Sequence, residues 1–275
     1  MARRATGRAR MIASLRRIRR IVETQTAYRL WQLETLERLG GNPLGIAWRQ
    51  LDEGAIAQMA RRLPGPTHNR VIGLRGDLVA TIAPLIAWYA EAGIKPLLET
   101  ISAYDDPALA GELARRGYYQ SGFQVVLAAA PVMPGQEAVG NAIEVVDSSG
   151  QLAAFLEVYG WPGGGASAAD LNAARPAGLR AKGVSLYLRR SQARPAAAAV
   201  LFVRDGIGYC APAAGVAATE GGGLDAALLV RRIADARGAG VEWLLTEADL
   251  LGARRTGLTR MGFEAAYIRA QWTSL

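Results

Sequence analysis

The residues with the best claim to chemistry in this chain lie between Tyr209 and Leu224. Val216, Ala217 and Ala218 are a small, apolar strand end; Thr219, Glu220, Gly221, Gly222 and Gly223 follow, and Leu224 opens a helical pattern. Leu228, Val230, Ile233 and Ala234 continue that pattern until Gly238 and Gly240 stop it. Glycines at a strand-to-helix turn let backbone approach a ligand closely, and the first helical turn offers unpaired amide donors with a partial positive charge. A phosphate or pyrophosphate is the guest such a turn suits. The same glycines also serve a tight connection that binds nothing.

Other chemistries are excluded by counting. Cys210 is the single cysteine and His68 the single histidine, so no intrachain disulfide and no Cys/His metal site can form, and no metal is expected. Cys210 reads as a buried, reduced thiol in apolar surroundings, with no base near it in sequence. His68 stands beside Asn69 and Arg70 at a strand entrance, either lining a cleft or as a partly exposed strand-end residue. No apolar run is long enough to span a bilayer, and the expected setting is the cytoplasm.

The formal charge of +8 is concentrated at one end. Of 32 Lys and Arg, eight arginines precede Glu23, leaving 24 against 24 Asp and Glu, so no nucleic-acid face is expected on the folded body. Residues 1–22 combine those arginines with Met11, Ile12, Leu15, Ile18, Ile21 and Val22 at helical spacing. This basic segment suits an anionic surface or partner, or a transit peptide; it equally reads as a solvated helix, or as sequence ahead of a start at Met11.

Elements alternate through the rest of the chain. The spacing predicts helices over 23–39, 53–63, 81–92, 106–116, 149–159 and 224–238, and one ending at Met261. Strands are expected over 46–51, 68–74, 95–101, 118–128, 143–146, 184–190, 197–204, 207–216, 241–245 and 265–272, with Asp205-Gly206 as a hairpin turn. Residues 131–142, rich in Pro and Gly, read as a linker. The hairpin ahead of the glycine turn, and a turn reading GGGLDA instead of G-x-G-x-x-G, separate this pattern from a dinucleotide-binding fold.

The order strand, glycine turn, helix, strand, helix, strand, with the pieces GVAAT, EGGGLDAALL, ADARGAG and RMGFEAAYIRAQW, resembles the C-terminal half of the GCN5-related N-acetyltransferase (GNAT) family. The resemblance implies that Val216, Ala217, Ala218, Thr219, Gly221, Gly222, Gly223 and Leu224 bind acetyl-CoA, with a backbone amide near Val216 to Ala218 polarising the thioester carbonyl. It places the acceptor, an amine of a small molecule or peptide, near Tyr159 and Trp161, where the loop WPGGGASAAD begins; Trp161 equally reads as the anchor that holds this loop down. It leaves Tyr209 and Glu220 as candidates for the general base. This sequence departs from the family at three places: Glu220 stands where an Arg is usual, Gly257 where an Asn is frequent, and Leu258 where many members carry an acidic Tyr. Loss of all three is what a catalytically silent GNAT-like binding module would show.

Two stretches, ELARRGYYQSGFQVVLA from Glu112 and GLTRMGFEAAYIRAQW from Gly257, share one pattern, and so do the strand, turn and helix predicted from Ile46 and from Ile143. The expected fold is therefore α/β: two GNAT-like units in tandem, each a mixed, mostly antiparallel twisted sheet flanked by helices. The N-terminal unit (23–130) is reduced and lacks a glycine-rich phosphate turn after HNRVIGL, and residues 143–275 form the C-terminal GNAT domain.

Overall fold

The computed structural model describes residues 2–38, 41–63, 65–66, 68–104, 107–131, 143–159, 181–215 and 223–275, with side chains from 14 onward in the first helix and from 226 onward in the helix that begins at Gly223. Two compact units emerge. One comprises Met1–Leu33, Ala47–Val126 and Ala265–Leu275, the other Glu34–Ile46 and Leu127–Glu264. The division does not follow a single cut in the chain.

The first unit holds most of helix α1 (Ala2–Glu37), strands β1 (Ile46–Asp52), β2 (Ala55–Ala60) and β3 (Arg70–Leu74), helix α2 (Ile82–Ala90), β4 (Leu97–Ile101), α3 (Pro107–Arg115) and β5 (Tyr118–Ala129). Its strand order is β1-β2-β3-β4-β12-β5, where β12 (Glu264–Ser274) is the last strand of the chain. β3 and β4 run parallel, joined by α2, whereas β2 is antiparallel to β3 and β12 to β4. Leu74, Ile82, Leu85, Tyr89, Leu98, Leu109 and Leu113 pack together as this unit's core.

Residues 53–63, expected as a helix, form β2 instead. Asp52 Oδ1 accepts a hydrogen bond from the Gly54 amide at 2.7 Å and turns the chain back into a strand paired Ile56 to Ile72 and Ala57 to Val71. All six residues of AIAQMA are buried. A strand covered on both faces has no reason to alternate, and its small alanines carry helix propensity without forming a helix. The repeat expected between the stretches starting at Ile46 and Ile143 is corrected with it, because only the second leads into a helix.

The second unit contains β6 (Ile143–Val145), α4 (Ser149–Tyr159), β7 (Val184–Ser191), β8 (Arg194–Arg204), β9 (Ile207–Cys210), β10 (Ala214–Gly215), α5 (Gly223–Gly238), β11 (Trp243–Asp249) and α6 (Ala253–Arg260). The strands run in the order β11-β9-β8-β7-β6, with β10 on β8. Asp205 and Gly206 both have positive φ, the backbone of a two-residue hairpin turn, so that Arg204 faces Ile207.

The units share a crossover. α2 ends with Gly93 N bonded to Ala90 O and Ile94 N to Tyr89 O; α5 ends with Gly240 N bonded to Arg237 O and Val241 N to Ala236 O. Both glycines have φ near +70° (68° and 69°), which a Cβ would strain. Each stop leads into a strand parallel to one ahead of its helix, β4 with β3 and β11 with β9, β10 lying between β9 and α5 in the chain. Among the described residues no helix is long and apolar enough to cross a membrane.

One buried charge cluster ties four neighbouring strands of the first unit. Glu99 on β4 is fully buried; it meets Arg70 of β3 at 3.3 Å and Arg269 of β12 at 3.4 Å, and accepts from Gln271 at 3.3 Å. Arg269 in turn donates to Gln124 of β5 at 2.8 Å. Removing the carboxylate would leave two guanidinium groups in the interior without it, which costs about 3–5 kcal/mol for a buried pair. Glu99→Ala is expected to lower the unfolding free energy by that amount in urea titrations; a loss below about 1 kcal/mol would mean the cluster does not hold the sheet.

His68 lies half-buried in the turn before β3, where burial first, then the charges of Arg70 and Arg29, push its pKa below the ordinary histidine value. A folded-state pKa below the unfolded one means stability is fully present above the unfolded value and is lost as pH falls through the window between them. His68→Gln should flatten the stability curve below about pH 6.5, as read by denaturant midpoints across that range. An unchanged slope would assign the acid sensitivity elsewhere.

Candidate functional site

A parallel pair that comes apart builds the site in the second unit. β9 runs beside β11 with Ile207 opposite Trp243, Gly208 opposite Leu244 and Tyr209 opposite Leu245, and the ladder ends there. On its other edge the chain stays with β8, Leu201 opposing Cys210 and Ala198 opposing Ala214. Three steps along β8 thus match four along β9 and β10, a one-residue bulge. Pro212 lies inside it and has no N–H to give a ladder. The single strand expected over 207–216 is therefore two short ones with a bend.

Arg232 of α5 holds the bend. Its side chain is fully buried, and its Nη1 donates to the carbonyls of Ala211 (2.7 Å) and Val200 (3.2 Å) while Nε donates to the carbonyl of Leu228 (3.2 Å). The Ala211 amide also bonds the Val200 carbonyl, at 3.2 Å. A carbonyl in a bulge has lost its regular strand partner, and a guanidinium with five donors in a fixed fork can replace it. α5 itself is fixed by Leu228, Leu229, Ile233 and Ala236, all buried, and by Asp235, which accepts from Tyr187 of β7 at 2.8 Å and pairs with Arg231 at 3.0 Å. Burial first, then Asp235, raises the Tyr187 pKa above that of an ordinary phenol, so Tyr187 remains a donor.

Tyr209 stands on the last rung before the strands part. It is almost fully buried, and its hydroxyl donates to Glu247 Oε1 at 2.6 Å. Glu247 is two residues beyond Leu245 on β11, past the end of the ladder and only partly buried. The carboxylate is the better proton acceptor of the two, and Tyr209 fixes its position. Both Glu247 and Arg232 escape a search for glycine motifs. Their signals are nonetheless visible: Arg232 is a lone cation between Leu228 and Ala236 on the helix's apolar stripe, and Glu247 follows a buried strand run.

Of the other expected site residues, Gly223 and Leu224 open α5. Val216, Ala217, Ala218, Thr219, Glu220, Gly221, Gly222 and Trp161 lie outside the described residues. Tyr159 ends α4 and stacks on Phe155, ring centroids 4.9 Å apart at 18°. Leu258, at the family's acid position, is buried in α6, where its carbonyl accepts from the Phe263 amide.

The corresponding place in the first unit has a different character. After β3 the chain reads Arg75-Gly76-Asp77 into a 3-10 turn (Gly76–Thr81) ahead of α2, and Arg75 is bound by both Asp52 and Asp77. Carboxylates there oppose a pyrophosphate.

No protein-family model matches the chain, and no curated protein matches it in sequence. Solved structures do match. A GCN5-related N-acetyltransferase from Kribbella flavida superposes with a TM-score of 0.61 at 16% identity, over 93% of this chain and 95% of that one. Another from Sphaerobacter thermophilus gives 0.53 at 14% identity over 82% of each chain. A tandem GNAT protein from the clavulanic acid biosynthesis pathway gives 0.54 at 15% identity over 84% of each. The chain has the α/β fold of the GCN5-related N-acetyltransferases. Its neighbours include a tandem member of that fold, matched over most of the chain.

Arg232→Met keeps roughly the volume but takes the guanidinium donor from the Ala211 carbonyl and leaves the Val200 carbonyl with the Ala211 amide alone, at a cost of about 1–3 kcal/mol. Cys210, fully buried at the bulge's edge, reports on it. Its reaction with a disulfide reagent should be slow in the parent and about tenfold faster in Arg232→Met. Equal rates would show that the bend keeps its shape without Arg232.

Proposed function

We propose that the second unit binds acetyl-CoA and transfers its acetyl group to an amine of a small molecule or peptide. The observation that carries this reading is the parting of β9 and β10 from β11 directly ahead of α5, fixed by Arg232. Parted strands leave main-chain donors without strand partners, and a helix start beside them favours an anion. The residues from Val216 to Ala218 are assigned to the thioester carbonyl, and Thr219, Gly221 to Gly223 and Leu224 to the pyrophosphate. Acetyl-CoA supplies an activated acetyl thioester.

The chain's own part is positioning and proton transfer. Glu247, held by Tyr209, is the general base that takes the proton of the amine as its nitrogen attacks; Glu220 is relieved of that role, because a carboxylate in the glycine turn opposes the pyrophosphate. Tyr159 and Trp161 are assigned to the acceptor side. The leaving thiolate takes its proton from solvent, since buried Leu258 offers none. Leu258, together with Glu220 in the turn, favours a second reading, a GNAT-like module that binds a ligand or partner without turnover.

Calorimetric titration with acetyl-CoA separates the two. The parent is expected to bind with a Kd of roughly micromolar order, about −8 kcal/mol, and Glu220→Arg to bind about tenfold tighter. Glu247→Gln should bind equally well but lose about 10²–10⁴-fold in acetyl transfer to a responsive amine. Binding only in Glu220→Arg would establish the silent module, and no binding in either would overturn the donor assignment.

A further inference from the structure

The first unit contains a cavity of about 790 Å³ at the end of the parallel pair β3 and β4, where the chain passes from β3 into the 3-10 turn. Its size is that of a small-molecule site, and its position, beyond the C-terminal ends of parallel strands, is where α/β sheets receive ligands. Its charge is unlike that of a nucleotide pocket. Among the described residues that line it, two guanidinium groups, Arg19 and Arg75, face four carboxylates, a net charge of −2.

The ion pairs divide those carboxylates into two kinds. Asp52 is fully engaged, accepting from the Gly54 amide and from both Nη atoms of Arg75. Glu23, Glu53 and Asp77 each give one oxygen to a guanidinium: Glu23 to Arg19 at 2.8 Å, Glu53 to Arg19 at 3.5 Å and Asp77 to Arg75 at 3.0 Å. Their second oxygens have no partner among the described residues. One arginine is therefore shared between Glu23 and Glu53, and it is the more exposed of the two cations, 70% accessible against 22% for Arg75, with Glu53 and Asp77 exposed beside it. Tyr104 adds a partly buried aromatic wall close enough to feel Arg75, Arg19, Glu23 and Asp77. Carboxylates with spare acceptors and an aromatic face are the complement of an ammonium group.

We propose that this cavity is a binding site for a small organic cation of the amine class, with two ammonium groups as the best match to its charge. Its ammonium groups take the unengaged oxygens of Asp77 and of Glu23 with Glu53, and its carbon chain lies against Tyr104. A phosphate-bearing ligand is excluded by the same charges. The inference stands apart from acetyl-CoA binding in the second unit and survives if that assignment fails.

Calorimetry with 1,4-diaminobutane on the full chain tests it, with n-butylamine and succinate as controls. The diamine is expected to bind, the monoamine more weakly and the dicarboxylate not at all. Asp77→Asn and Glu23→Gln should each weaken the diamine roughly two- to five-fold, the range for single ion pairs near a surface. Arg19→Gln should strengthen it by a similar factor, because it removes a cation that competes for Glu23 and Glu53; a merely structural role would give no gain. Circular dichroism melts confirm that each variant is folded. No heat at millimolar diamine, equal affinity for diamine and monoamine, or an Arg19→Gln variant that binds no better would each overturn the proposal.

Discussion

A carboxylate buried beside two guanidinium groups has only one tolerable arrangement, and Glu99 imposes it on the first unit. Strands β3, β4, β12 and β5 are adjacent, and each contributes a side chain to the network: Arg70, Glu99, Arg269 with Gln271, and Gln124. Register follows from this. Gln271 pairs with Glu99 and Arg269 with Ile101 along β12 and β4, and a slip of one residue would turn Arg269 to the opposite face, leaving buried charges unmatched. Apolar residues of similar size would pack as well but would accept several registers. The last strand of the chain is thereby specified as a central strand of its first unit, further secured by Tyr267 to Gln25 and by Lys95 to the terminal Leu275.

The same crossover is used twice with opposite electrostatics. In both units a strand, a helix ended by a positive-φ glycine and a parallel strand follow one another. In the second unit the strands part at a bulge whose carbonyl is held by a cation from the helix, and the turn that follows in sequence is rich in glycine. In the first, carboxylates of Asp52 and Asp77 occupy Arg75 at the matching turn, and the surrounding cavity is negative. One backbone plan thus carries different polarity at its two occurrences.

Much of this was legible in the sequence where periodicity and glycine placement agree. The helices over 81–92, 149–159 and 224–238 and the Asp205-Gly206 turn lie close to where spacing puts them, as α2, α4, α5 and the hairpin. The GNAT plan also reads from the order of elements in the second half. What escaped was set by tertiary contact. β2 looks helical because a strand buried on both faces can be built of alanine, and nothing local announces that its neighbour is β3. Pro212 marked the break in the strand over 207–216, but the bulge needs β8 beside it to be recognised. Arg232, Glu247 and the Glu99 cluster acquire their roles only through partners 21 to 172 residues away.

That the second unit receives acetyl-CoA is the central proposal, and hydrogen–deuterium exchange of the whole chain, with and without acetyl-CoA, tests it. Protection is predicted in the peptides spanning 207–230 and 243–249, around the parted strands and the start of α5, with no change over 70–82. Protection over 70–82 instead, or at neither place at saturating donor, would contradict the account.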